Sequence, residues 1–409
     1  MNGGPTLAVV GATGAVGAVT LQILSQHADV WGDIRLIASP RTGVRADPRT
    51  AAGRGGHARS GGRAPARSDG RGPAHPDGRG PAHPDGRGPA HPDGRGLPDT
   101  RELSVRGEAI EVVELSEEAL DGVDVALFLV PDTVSAHWAP IAAAKGAVVV
   151  DNSSAFRMDP DVPLVVPELN PHAVRSRPRG IVAGPGCGTL SMIVAVGALH
   201  AEFGVRELVV SSYQAVSAAG PDGVTALRDQ LSLVAGTELG THPGDVRRAV
   251  GDATGPFPAP LALNVVPWAG SAGEDGWSSE ELAIREETRK VLGLPELRVT
   301  ATCVRVPVIT GHSQTVHARF EQEISVERAH EILATAPGVV LFDDPEAGDF
   351  PTPADVVGTD PVWVGRVRRS LDDPRALELF VCGDNLRKGA ALNSAQIAEA
   401  VAAELSARR

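Results

Sequence analysis

Leu7-Ala8-Val9-Val10-Gly11-Ala12-Thr13-Gly14-Ala15-Val16-Gly17 passes from four apolar residues into three glycines spaced G-x-x-G-x-x-G, and a helical pattern then continues to about Ser25. Four apolar residues bounded by glycine read as a short buried strand, and the change of period after the glycines marks a helix. Strand, glycine turn and helix in that order open a doubly wound α/β sheet. Glycine lets the chain reverse tightly and lets a pyrophosphate approach the backbone, where the unpaired N–H groups of a helix start attract it. Gly11, Ala12, Thr13, Gly14, Ala15, Val16 and Gly17 are therefore the candidate dinucleotide-binding residues. The same turn also serves simply to pack a helix on its strand, and the spacing departs from the G-x-G-x-x-G fingerprint.

Residues 34–38 are the expected second strand, and Ser39-Pro40-Arg41-Thr42 follows it. An enzyme selecting NAD usually places an acidic residue there against the ribose hydroxyls. Ser39, Arg41 and Thr42 instead suit a 2′-phosphate and hence NADP, although Arg41 serves equally as an exposed loop charge. Beyond it, residues 46–99 turn to Gly, Arg, Pro, Ala, His and Asp, with GRGPAHPD repeated at 70–77, 78–85 and 86–93. A tract without large apolar residues cannot offset its ordering entropy, so it is expected to be a disordered insertion. His75, His83 and His91 recur in it, but His-Pro-Asp in such a tract more often binds no metal, and none is expected.

The chain has 409 residues, enough for two domains, with 42% hydrophobic and 22% charged residues. A net charge of -13 and 3% aromatic residues oppose nucleic-acid binding and point to small-molecule chemistry. Cys187, Cys303 and Cys382 have no paired spacing, so neither disulfides nor a zinc site is expected and a cytoplasmic location fits. No apolar run reaches membrane-spanning length. Strands at 110–113, 123–130 and 147–150 with a helix at 133–145 continue the α/β alternation. Longer strands at 208–216, 299–309 and 314–323 then predict a mixed sheet with helices on one face, and 384–409 reads as one helix.

Chemistry concentrates at Gly184-Pro185-Gly186-Cys187-Gly188-Thr189, which leads into the apolar run 190–200. Cys187 thus falls at a loop-to-helix junction, where the helix dipole favours a thiolate and the glycines open access to the sulfur. A cysteine nucleophile needs a proton-handling partner and a site for developing charge. Cys303-Val304-Arg305 and Gly311-His312-Ser313 offer Arg305 and His312, with His312 at a turn and His317 on the outward side of a strand.

GATGAVG, ASPRTG, DNSSAFRMDPDVPLVVPELN, the Cys187 loop, SSYQAVSAAG, CVRVPVITGHS and GDNLRKGAALNSAQIAEA together resemble the aspartate-semialdehyde dehydrogenase family, over nearly the whole chain apart from the insertion. The resemblance implies a Rossmann-type NADP-binding domain at 1–150, interrupted by 46–99. It implies an α+β catalytic and dimerisation domain of the glyceraldehyde-3-phosphate dehydrogenase-like kind at 151–383, and a helix at 384–409 returning to the first domain. It further implies reductive dephosphorylation of aspartyl 4-phosphate to aspartate 4-semialdehyde with NADPH, by a homodimer. In that reading Cys187 forms a thioester, His312 is the acid/base and Gln214 orients the intermediate. Arg305 grips the substrate α-carboxylate, Glu280 receives its ammonium, Arg157 binds phosphate and Asn385 lies near the nicotinamide.

Two features depart from the family pattern. Gly184, Gly186 and Gly188 stand where the family writes Asn-Pro-Asn-Cys-Ser/Thr, removing a side-chain amide that assists the oxyanion. Ala283 stands where it places a phosphate-binding lysine, with Arg285 or Lys290 as possible substitutes. A relative acting on another acyl phosphate or aldehyde, and a catalytically weak paralogue, are the alternatives these departures keep open.

Overall fold

The computed structural model describes residues 4–27, 30–38 and 102–408. Ser39, Arg41, Thr42 and the repeat tract 46–99 lie outside the described residues. The first sheet begins with β1 (Thr6–Val10), α1 (Ala15–Gln26) and β2 (Asp33–Ala38), then β3 (Glu102–Val105) and β4 (Glu108–Glu114). It continues through β5 (Val125–Phe128), α2 (Asp132–Ala144) and β6 (Val148–Asp151) to β7 (Ile181–Ala183). The order is β3-β4-β2-β1-β5-β6-β7, parallel except for the β3/β4 hairpin. The sheet thus takes in β7, beyond residue 150, through the register Val149↔Ile181 to Asp151↔Ala183.

Because β1 lies between β2 and β5, the chain departs from it in opposite directions, which opens a ligand crevice above the carboxyl ends of β1 and β5. Gly11 sits there with φ +92°, and a Cβ on it would stand 2.3 Å from the Leu129 carbonyl oxygen. A Cβ on Gly17 would meet the Gly11 oxygen at 2.4 Å, so these two glycines are required by backbone approach. Thr13, Gly14 and Ala15, at the tip, are exposed, and α1 starts without a side-chain cap.

The second half comprises α3 (Cys187–Phe203), β8 (Val205–Gln214), α4 (Gly220–Val234), α5 (Asp245–Val250), α6 (Ser279–Leu292), β9 (Arg298–Arg305) and β10 (His312–Phe320). After these come α7 (Val326–Thr335), β11 (Val339–Leu341), α8 (Pro353–Val356), β12 (Val362–Arg369), β13 (Ala376–Gly383) and α9 (Leu392–Arg408). The sheet runs β11-β12-β13-β10-β8-β9, with parallel pairs β11/β12 and β8/β9 and antiparallel pairs between them. The apolar stretch Leu190 to Val196 has no polar face because α3 is packed between this sheet and α6 and α7. On α9, Ile397, Ala398, Val401 and Ala402 are buried in the core of the first sheet, which brings the chain end back to β5 and β6.

Several boundaries differ from the sequence reading, and three of them bear on the site. The strand expected to reach residue 309 ends at Arg305, because Pro307 has no N–H and Val308 turns to accept a bond from Val216. The next strand begins at His312, two residues early. The segment 384–409 is not one helix: a π-helical turn, Arg387–Ala391, precedes α9. Lys388 in that turn is fully buried and bonded to Glu168 at 2.7 and 2.8 Å, a partner 220 residues away.

Candidate active site

Parallel β8 and β9 end together, with Gln214 and Arg305 as register partners, and antiparallel β10 starts beside them with His312. Three sequence-distant side chains therefore reach one end of the sheet. The start of α3 lies over that end, with Cys187 Sγ 3.3 Å from His312 Nε2. Cys187 is the first residue of α3, after Gly186 at the N-cap, as its glycine-flanked position predicts. A single residue, Ala215, orients two of the groups: its N–H donates to His312 Nδ1 at 3.1 Å, and its carbonyl accepts Arg305 Nη1 at 2.8 Å.

The bond at Nδ1 has a consequence for proton handling. An imidazole whose Nδ1 accepts from a backbone N–H carries its own proton on Nε2, facing the sulfur. His312 is fully buried in the strand rather than at an open turn, and burial, aided by the Arg305 charge, lowers its pKa to about 3. It is a neutral Nε2–H donor near neutral pH.

Cys187 departs from the thiolate expected of a helix start. Burial, then the Glu280 carboxylate, push its thiol up to about 12 against the pull of Arg305 and Arg157. The helix dipole is a fraction of a charge and does not offset that desolvation.

Glu280 and Glu281 divide their tasks. Glu281 completes a capping box with Ser278 and accepts the Cys303 N–H at 3.0 Å, whereas Glu280 faces the site. Burial, then the like charge of Glu287, raise the Glu280 pKa, opposed by Arg157, Arg305 and a hydrogen bond from Gln214. Arg157 follows the β6 end, where buried Asp151 ties Ser135 and Ser153. Its Nη2 donates to the Asn152 carbonyl at 2.8 Å and its Nη1 to Glu287 at 3.0 Å. Arg157 Nε and Gln214 Oε1 are buried with no hydrogen-bond partner among the described residues, unspent polar capacity of the kind a substrate takes up. Asn385, also buried, donates to Ser217 Oγ at 2.9 Å and accepts the Gly311 N–H at 2.8 Å, joining the two loops beside the sheet end.

Lys290 does not substitute for a lysine at position 283. Its ammonium donates to the carbonyls of Arg157, Asp159 and Val162 at 2.6, 2.7 and 2.8 Å, and so holds the segment bearing Arg157. Arg285 is paired with Glu286. Sequence reasoning missed Glu287 and Lys388, and considered Lys290 only as a stand-in for a lysine at 283; the partners of all three are distant in sequence. A Gly at 389 was the available signal, since a Cβ there would stand 3.0 Å from the Cys187 Cβ.

A cysteine at a helix start opposite a buried histidine, beside a glycine-turn α/β sheet, fits a dehydrogenase that works through a cysteine thioester. The models for the semialdehyde dehydrogenase NAD binding domain and the semialdehyde dehydrogenase dimerisation domain match residues 90–177 and 196–388. The chain is 48% identical over 307 residues to aspartate-semialdehyde dehydrogenase of Corynebacterium glutamicum, covering 73% of this chain and 87% of that one. It is 35% identical over 394 residues to the Prochlorococcus marinus protein of the same name, covering 96% and 95%. The crystal structure of aspartate semialdehyde dehydrogenase II from Vibrio cholerae, complexed with ASA, superposes with TM-score 0.76 at 32% identity over 97% of this chain and 98% of that one. The chain belongs to the aspartate-semialdehyde dehydrogenase family and is an oxidoreductase. Among the described residues no helix is long and apolar enough to cross a membrane.

Proposed function

We propose that the chain converts aspartyl 4-phosphate to aspartate 4-semialdehyde through a thioester on Cys187, with NADPH as reductant. The observation that carries the assignment of roles is the 3.3 Å approach of Cys187 Sγ to His312 Nε2 at a sheet end that also bears Gln214 and Arg305. Sγ forms the bond to the acyl carbon, the carbon–oxygen bond to phosphate breaks, and the thiol proton leaves on the phosphate. His312, fixed as an Nε2–H donor, stabilises the developing oxyanion by hydrogen bonding in both halves; in the reductive half the carbon–sulfur bond breaks and the departing sulfur takes up a proton from solvent, restoring the Cys187 thiol. Arg305 holds the α-carboxylate, Glu280 the ammonium, Arg157 the phosphate and Gln214 the acyl group.

The glycine turn fits a dinucleotide. Gly11 and Gly17 clear the backbone, the tip at Thr13 to Ala15 is exposed, and among the described residues no side chain caps the α1 start. The cofactor, when bound, supplies the hydride. Preference for NADP rests on Ser39, Arg41 and Thr42 in the sequence. The matched dimerisation domain supports a homodimer built through 151–383, and the three free thiols suit the cytoplasm.

The test is phosphate-dependent reduction of NADP by aspartate semialdehyde, compared with NAD and with Cys187→Ala. The expected result is turnover with NADP that Cys187→Ala loses by a factor of about a thousand or more while remaining folded. Comparable turnover in the variant overturns covalent catalysis at Cys187.

A further inference from the structure

The residue of α6 bonded most extensively into the site is Glu287, two turns beyond Glu280 and 2% exposed. Its Oε2 accepts the Gly186 N–H at 2.8 Å and the Thr189 hydroxyl at 2.6 Å, and its Oε1 accepts Arg157 Nη1 at 3.0 Å. Gly186 caps α3 without any side chain of its own, so the nucleophile's helix is tied down from another helix. One edge of the Arg157 guanidinium is thereby spent inside the protein.

The fixed charges also balance. Arg157 and Arg305 face Glu280 and Glu287, and the residue between the two carboxylates on the same stripe of α6 is the neutral Ala283. Lys290 and Arg285, the nearby cations of that helix, are committed to backbone carbonyls and to Glu286. A phosphate arriving at Arg157 meets a cation already paired.

We infer that Glu287 is an internal substitute for the phosphate: its carboxylate holds Arg157 and the start of the Cys187 helix in the free enzyme, competes with phosphate for Arg157, and so sets phosphate affinity. The inference rests on the assignment of Arg157 to the phosphate. It makes Glu287 a positioning and specificity residue; no reacting atom touches it. The carboxylate is also among the charges that raise the Cys187 thiol, so its neutralisation acts on the nucleophile as well.

The experiment uses the full chain and inorganic phosphate alone. Glu287→Gln keeps an oxygen for Gly186 and Thr189 but removes the charge from Arg157. Phosphate should then bind about tenfold more tightly, the worth of one charge-assisted hydrogen bond, read as a larger rise of Tm with phosphate concentration. Alkylation of Cys187 by iodoacetamide should shift to lower pH. Glu287→Asp, which keeps the charge but shortens its reach, should give an intermediate phosphate response and serves if the glutamine variant does not fold. Unchanged or weaker phosphate binding in the folded variants, with an unchanged alkylation profile, overturns the inference and leaves Glu287 a helix anchor. A phosphate response that survives Arg157→Gln instead overturns the phosphate site itself; one that needs Arg157 but ignores Glu287 overturns only the present inference.

Discussion

Two glycine-rich loops each run into a helix that lacks a side-chain cap of its own, and they have opposite reasons for their glycines. In the Gly11–Gly17 turn the backbone demands them: φ is +92° at Gly11, and added Cβ atoms at Gly11 and Gly17 would strike carbonyl oxygens at 2.3 and 2.4 Å. In the Gly184–Gly188 loop none of the three has positive φ, and the nearest atoms to an added Cβ belong to side chains. The first helix start is open at Thr13 to Ala15, whereas the second already carries the Glu287 carboxylate. An uncapped helix end is therefore not sufficient to define an anion site. What matters is whether the protein has filled it.

The largest effect that tests this contrast is on stability. Gly11→Ala combines left-handed strain with a clash against main chain that cannot swing aside, and should cost about 3–6 kcal/mol and abolish dinucleotide binding. Gly184→Ala meets only Asn393 Nδ2 at 3.2 Å and the end of Ile397 at 3.8 Å. It should cost less than about 1.5 kcal/mol. Denaturant midpoints of the two variants measure the difference; equal losses would erase the distinction between the loops.

The second prediction concerns the dry end of the site beside the Cys187 loop. His312 is held neutral with a pKa near 3, below its ordinary 6.5, so between those values the unfolded chain binds a proton that the native chain does not. Stability then falls as pH falls through that window, by at most about 1.4 kcal/mol per unit, or about 2.5 kcal/mol from pH 6 to pH 4. Other carboxylates titrate over the same range, so the measurement is the difference between the parent and His312→Asn. The variant should lose less. Identical slopes would mean that water reaches the imidazole.

The local signals in the sequence were sound where neighbours in the chain decide the structure. β1, the glycine turn, α1 and the start of α3 at Cys187 follow from period and punctuation. Arg305 and His312 were legible as candidates from the residues themselves and Gln214 through the family resemblance, and their convergence needed the strand register. What was not legible depends on distant partners. The π-helical turn is fixed by Lys388 against Glu168 and by the fit of Gly389 on Cys187, neither of which leaves a periodic trace. Glu287 follows Glu286 in a charged helix and reads as solvated until its three partners are seen. The thiol was misjudged because a sequence displays the helix start but not the burial that outweighs it.

The smallest expected effect concerns the residue that the family resemblance suggests restoring. From sequence alone, Gly186→Asn would return an amide to the oxyanion and raise turnover. In the folded chain a Cβ at position 186 stands 2.8 Å from Arg157 Nη1 and 3.4 and 3.5 Å from the Glu287 carboxylate oxygens. The guanidinium tip is the far end of a flexible side chain, but it is held by Glu287 on one nitrogen and by the Asn152 carbonyl on the other. Moving it breaks a buried ion pair and loosens the tie on the start of α3. Gly186→Asn should therefore lower stability by about 1–2 kcal/mol and leave turnover at or below that of the parent. Gly188→Ser supplies the control, because its Cβ presses only on Ile284 at 3.3 Å and comes no nearer than 3.5 Å to the Gln214 amide, leaving the Arg157–Glu287 pair alone. Thermal unfolding and saturating turnover of both variants decide the matter. If Gly186→Asn gains turnover at unchanged stability, the pair rearranges freely, and the second loop is as open to a ligand as the first.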